Sequence, residues 1–192
     1  MARKMRFIRH LLVVSGPTAS GKTRLLTRLR TGSLPDELRA LLPEAAHCWP
    51  QMSARGLVRG RSATFNAARA RDLDGLVLHY DILRPFRTGI DLARDPALTL
   101  LTRAQQVTVL VLYPPREQLL RRYADRQRAR AMRSGRHWRS LVLDRLIPGR
   151  RSKRDQLLSG YRSEDWVRAR YAEWLTFLSD RHPSATVRAV PS

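Results

Sequence analysis

Residues 11–24 read LLVVSGPTASGKTR, an apolar run that gives way to a loop holding Gly16, Gly21, Lys22 and Thr23. The run from Phe7 to Ser15, with Ile8, Leu11, Leu12, Val13 and Val14, predicts a buried strand. Thr23 to Thr31 predicts a helix with Leu25, Leu26 and Leu29 on one face, and Gly32 stands where a helix stops. A strand, a glycine loop and a helix in that order bring loop amides and a helix N-terminus to one point. The spacing G-x-x-x-x-G-K-[ST] adds chemistry to this geometry. Gly16 and Gly21 permit backbone conformations that turn N–H groups inward, so Pro17, Thr18, Ala19 and Ser20 can wrap a phosphate chain. The Lys22 ammonium can reach the outer phosphates, and the Thr23 hydroxyl can ligate Mg²⁺.

The rest of the chain bounds what surrounds this loop. Its 192 residues, 43% of them apolar, are expected to form one globular domain with a real core. No apolar run approaches the ~20 residues that span a bilayer. The basic and then apolar start, MARKMRFIRHLLVVSG, resembles a secretory signal only superficially, because its apolar part leads straight into the loop. A single cysteine, Cys48, allows no internal disulfide, so a reducing, cytoplasmic setting is expected. Neither Cys48 nor His10, His47, His79 and His137 sits at metal-ligand spacing.

The charge is unusual. Lys and Arg number 37 against 16 Asp and Glu, a formal net of +21, and only Lys4, Lys22 and Lys153 are lysines. Such an excess favours polyanions: nucleic acid, an acidic surface or a phosphorylated substrate. No nucleic-acid recognition module accompanies it.

Further along, SLPDELRALL from Ser33 predicts a helix with Pro35 in its first turn, and Ala45–Trp49 a short strand closed by Pro50. Residues 51–62 read as an exposed basic loop, Ala63–Leu73 as a helix, and Asp74-Gly75 as a turn. Leu76–Tyr80 predicts a strand ending at Asp81, Asp95–Gln106 a helix, and Val107–Tyr113 an interior strand broken by Pro114-Pro115. Arg116–Met132 predicts a helix. Residues 133–162 read as loop-rich. Ser163 caps a last long helix on which Trp166, Tyr171, Trp174, Leu175 and Leu178 are apolar positions, and Ala185–Val190 closes as a strand. Trp138, Trp166 and Trp174 are expected to pack rather than stack on bases. Apolar strands alternating with helices predict an α/β, three-layer α/β/α sandwich on a mainly parallel sheet, with the ligand beyond the strands' C-terminal ends.

On GPTASGKT within residues 8–26 the sequence resembles the P-loop NTPase superfamily and its small nucleotide and metabolite kinases. The resemblance implies a P-loop fold over residues 1–192, with Gly16, Gly21, Lys22 and Thr23 holding ATP and Mg²⁺. The same wording is similar to the loop of tRNA dimethylallyltransferases, but their following Ser-Ala-Asp-Ser-Arg-type segment is absent. Asp81 resembles a Walker B carboxylate, to serve magnesium or to accept a proton from an acceptor hydroxyl; Asp72, Asp74 and Asp91 are weaker competitors, read as helix-end or turn residues. In YPPREQLLRRYADRQRAR the resemblance implies an arginine-bearing lid around residues 122–162. Arg122 and Arg126 would share a helix face toward the transferring phosphoryl, with Arg130, Arg133 and Arg136 in the same stretch. Met52–Arg55 is faintly similar to a guanylate kinase segment, too short to carry roles across and leaving Arg55 open for acceptor binding. An N-K-x-D segment is missing, which favours ATP over GTP as donor.

Three functions are compatible with these residues: a kinase transferring the ATP γ-phosphoryl to a small-molecule hydroxyl or phosphate, a nucleic-acid-associated P-loop protein such as a polynucleotide kinase, and a non-catalytic nucleotide-binding regulator.

Overall fold

The computed structural model describes residues 7–55, 72–134 and 153–191. Among the described residues five strands build one sheet: β1 (Ile8–Gly16), β2 (Gln51–Ser53), β3 (Leu73–Asp81), β4 (Ala104–Leu112) and β5 (Thr186–Val190), in the order β2-β3-β1-β4-β5. Every pairing is parallel. The helices are α1 (Lys22–Arg30), α2 (Asp36–Arg39), α3 (Arg84–Thr88), α4 (Arg116–Ser134), α5 (Lys153–Arg162) and α6 (Glu164–Arg181), with short 3₁₀ turns between them.

A strand buried on both faces must be apolar at consecutive positions, and β1 meets that demand: Leu11, Leu12, Val13 and Val14 are all at most 1% exposed. Alternate side chains leave on opposite faces. Leu12 and Val14, with Val77 and Leu110, meet Leu25, Leu26 and Leu29 of α1. Leu11 and Val13, with Leu76, Leu78, Tyr80 and Val109, meet Leu119 and Tyr123 of α4, Leu157 and Tyr161 of α5, and Tyr171, Trp174 and Leu178 of α6. Helices thus cover both faces, as α/β patterning demands. Trp174 stacks on Tyr80 at 4.9 Å between ring centroids, and its indole Nε1 donates to Ser15 Oγ at 3.0 Å. Ser163 caps α6 by accepting from Trp166 N at 3.2 Å. No helix among the described residues is long and apolar enough to cross a membrane.

Several elements differ from the sequence expectation. The segment expected as a strand at Ala45–Trp49 is a 3₁₀ turn, Glu44–Cys48; the edge strand comes after Pro50, within the stretch expected to be loop. Asp74 and Gly75 make no turn but lie inside β3. Gly75 is there because the Trp49 indole crosses it: a Cβ at this position would lie 1.9 Å from the ring. Asp95–Gln106 is not one helix. Asp95, 1% exposed, accepts from Arg84 Nε, from Tyr80 Oη at 3.1 Å and from Ala97 N at 2.9 Å, which ties its backbone into a turn. The segment continues as a 3₁₀ helix over Leu98–Arg103, and Ala104–Gln106 already pair with Ile8–His10 in β4. The stretch SLPDELRALL forms only the four-residue α2. Of the stretch 133–162, Lys153–Arg162 is helical rather than loop; residues 135–152, including Arg136, His137 and Trp138, lie outside the described residues, as does most of the expected helix 63–73.

Candidate functional site

The chain leaves β1 leftward to the β2–β3 side and later crosses to β4, so the C-terminal ends of β1, β3 and β4 flank a crevice where connections diverge. The glycine loop fills it. Gly16 ends β1 at φ +146°, and a Cβ there would meet Ser20 Oγ at 2.7 Å and the Leu112 carbonyl at 3.0 Å. Gly21 precedes α1 at φ +101°. Ala19 holds φ +72°, a left-handed conformation that costs a non-glycine residue about 1 kcal/mol. The loop is thus closed by geometry that glycine makes cheap at its ends.

Lys22, 6% exposed, turns back across this loop: its Nζ donates to the Gly16 carbonyl at 2.7 Å and the Pro17 carbonyl at 2.6 Å. Burial lowers its pKa to about 8, against the attraction of Asp81 and with further lowering by Arg87, Arg126 and Arg55.

Asp81 is the last residue of β3 and lies in register beside Gly16. Its Oδ2 accepts from Thr18 Oγ1 at 2.7 Å and from Arg87 Nη2, and its Oδ1 accepts from Leu83 N at 3.1 Å. Burial alone would raise its pKa, but Lys22, Arg87 and these hydrogen bonds outweigh it and hold the carboxyl below its ordinary value. The competitors are employed elsewhere: Asp72 accepts from Phe7 N at 2.9 Å, Asp74 faces Arg9 on the surface, and Asp91 caps a 3₁₀ turn through Ala93 N at 3.2 Å.

A cavity of about 420 Å³ opens above these groups, lined by Thr18–Thr23, Asp81, Arg122 and Arg126. Of the residues named from the sequence, Gly16 and Pro17 do not line it, whereas Thr18–Thr23, Asp81 and the Arg122–Arg126 pair, one turn apart on α4, do. Five further groups were not assigned from sequence: Ser53, His79, Arg84, Arg87 and Thr88 also line the cavity, and so does Arg55. His79 is half-buried and faces the loop rather than only packing; burial, with Lys22 close by, lowers its pKa to about 4, so the imidazole is neutral. Arg84 and Arg87 follow Asp81 at three and six residues, a helix-face spacing on α3 that an arginine-rich chain conceals.

Two arginine nitrogens here are orphans. Arg84 Nη2 and Arg122 Nη1 are buried with no hydrogen-bond partner among the described residues. A buried unpaired donor of this kind costs about 1–3 kcal/mol, and natural interiors rarely tolerate one without a use. Such donors are of the kind that an anion such as a phosphate oxygen would satisfy. A second cavity of about 450 Å³ shares Gly21 and Arg122 with the first and continues along Arg24, Arg28, Leu112 and Val190 on the β4–β5 side.

In comparison with known proteins, no protein-family model matches the chain and no curated protein matches it.

Proposed function

We propose that the protein is a P-loop phosphotransferase that moves the γ-phosphoryl group of Mg²⁺·ATP to a hydroxyl or phosphate oxygen of a small acceptor. One observation carries the reading: Lys22, Asp81, Arg122 and Arg126, chosen from motif and spacing, line a single cavity at the strand ends. The parallel sheet with β1 at its centre supports a P-loop NTPase fold, and the second cavity offers room for the nucleoside.

In this reading loop amides from Thr18 to Thr23 and the Lys22 ammonium hold the triphosphate. Lys22 exchanges the Gly16 and Pro17 carbonyls for phosphate oxygens. Thr23 and Asp81 would hold Mg²⁺, which when bound neutralises charge on the triphosphate oxygens. The acceptor oxygen attacks the γ-phosphorus; that O–P bond forms as the bond to the β–γ bridging oxygen breaks, and ADP departs with the electron pair. Alternatively, where Asp81 does not serve the metal, its ionised carboxylate would orient an acceptor hydroxyl and take its proton. Arg122 and Arg126 stabilise the equatorial oxygens with guanidinium forks that stay charged.

Titration of Mg²⁺ with a non-hydrolysable ATP analogue tests this. The wild type binds, and Lys22→Ala weakens binding by about tenfold or more, the loss of a charge-assisted contact. Equal binding by the variant contradicts the reading. The +21 charge favours a second class of acceptor, a polynucleotide end, which the same site would serve through RNA-dependent turnover. A purely regulatory nucleotide binder would bind the analogue but transfer nothing.

A further inference from the structure

We infer that Thr18 is a positioning residue for Asp81: its hydroxyl, together with Arg87, fills Oδ2 of that carboxylate and leaves one acceptor place, on Oδ1. The inference rests on the phosphotransferase reading above, with Asp81 as a partner of the metal. The pattern G-x-x-x-x-G-K-[ST] places no demand on position 18, so the role comes from the fold and not from the motif.

A carboxylate has about four places for a donor or a metal ion, two on each oxygen. Among the described residues three are taken at Asp81. Oδ2 accepts from Thr18 Oγ1 at 2.7 Å and from Arg87 Nη2, which fills it. Oδ1 accepts from Leu83 N at 3.1 Å and keeps one place. The side chain lines the cavity, and its residue lies in register beside Gly16. With Oδ2 held, the remaining place serves one partner at a time, a metal ion or an acceptor hydroxyl.

The hold on Oδ2 is a closed ring. An ionised carboxylate only accepts, so the Thr18 proton points at Oδ2. A lone pair of the same hydroxyl then accepts from Arg87 Nη1 at 3.2 Å. Arg87 thus spans the threonine and the aspartate with its two terminal nitrogens, and a planar fork of this kind fixes direction as well as distance. The ring is also anchored from α5. Thr18 is 8% exposed, and its carbonyl accepts from Tyr161 Oη at 2.9 Å. A fixed backbone aims the side chain. Groups that orient a metal's ligand in this way commonly change metal affinity by about 10- to 100-fold. Serine keeps the hydroxyl that closes the ring, whereas valine keeps the shape and loses the hydroxyl.

The test is the gain in affinity for the non-hydrolysable ATP analogue when Mg²⁺ replaces EDTA, measured by calorimetry for wild type, Thr18→Val, Thr18→Ser and Asp81→Asn. Thr18→Val is expected to cut the Mg²⁺ gain about tenfold, while Mg²⁺-free affinity stays within about twofold because the loop amides and Lys22 remain. Thr18→Ser is expected to bring the gain back to within about threefold of wild type. Added to Asp81→Asn, Thr18→Val is expected to change the gain no further, since it acts through that carboxylate. Should Thr18→Val fail to fold, Thr18→Ala removes the same hydroxyl with less crowding and carries the same expectations. An intact Mg²⁺ gain without the hydroxyl, equal weakening with and without Mg²⁺, or no recovery with serine overturns the inference alone. So does an effect that persists in full on Asp81→Asn. A wild type without any Mg²⁺ gain, or a gain that Asp81→Asn leaves intact, removes the metal role of Asp81 and this inference with it. Failure of the analogue to bind the wild type removes the phosphotransferase reading as a whole.

Discussion

At Lys22 stability and function oppose each other. The side chain is buried with its pKa lowered to about 8, from an ordinary value of 10.5. Between those values the unfolded chain holds the extra proton, so this group's contribution to stability rises with pH across the window; below pH 8 the cost of burying the ammonium is felt in full. Lys22→Met removes that cost but leaves the Gly16 and Pro17 carbonyls without their donor, so what it tests is the slope: wild-type stability is expected to rise relative to the variant's between about pH 8 and 10.5. Denaturant unfolding as a function of pH measures this. In the wild type, affinity for the ATP analogue is level below pH 8 and falls above it as the ammonium deprotonates, whereas the variant shows weak binding without that fall. A second residue is constrained by space alone. Gly75→Ala drives a methyl group into the Trp49 indole and is expected to cost about 3 kcal/mol or more, read as a lowered denaturation midpoint. The contrast between these two positions explains what a sequence discloses. Lys22 stands in a motif whose chemistry dictates its neighbours. Gly75 looked like half of an Asp-Gly turn, because only the fold brings Trp49 across it.

Among the elements, those with strong apolar periodicity emerge near their expected places: β1, α1, β4, α4, α6 and β5 each differ by a few residues at most at either end. The failures are short or propensity-poor segments settled by distant contacts. Gln51–Ser53 becomes a strand only because β3 offers an edge, with Val77 N donating to the Pro50 carbonyl at 3.0 Å. Asp95–Arg103 breaks into turns because Arg84 and Tyr80 claim Asp95. Arg84 and Arg87 in the cavity wall are hidden for a related reason: with so many arginines in the chain, no spacing among them stands out. One contact between elements joins packing to chemistry. Tyr161 on α5 packs against Tyr123 of α4 and donates its hydroxyl to the Thr18 carbonyl at 2.9 Å, so the helix base of the proposed lid holds the glycine loop. Tyr161→Phe leaves that carbonyl unpaired and is expected to lower stability by about 1–3 kcal/mol, visible as a fall in Tm of several degrees. Because the loop itself loosens, analogue affinity is expected to fall as well. Unchanged affinity would detach α5 from the site.

For the whole molecule, the charge of +21 and the arrangement of the sheet answer different questions. The parallel sheet with both faces covered leaves a cavity at its strands' C-terminal ends, where six cations gather among the described residues. The excess beyond that cavity sets a general attraction to polyanions, which is screened by salt. Affinity for RNA is accordingly expected to drop steeply between about 50 and 200 mM salt, while binding of the ATP analogue in its buried cleft changes far less; parallel titrations at the two salt concentrations check this. The measurement closest to the central claim is transfer of label from γ-labelled Mg²⁺·ATP by wild type and Lys22→Ala, offered a pooled extract of small metabolites and, separately, RNA. The account predicts label on a small molecule with the wild type alone. Label on RNA only, or no transfer by a wild type that still binds the nucleotide, would contradict it.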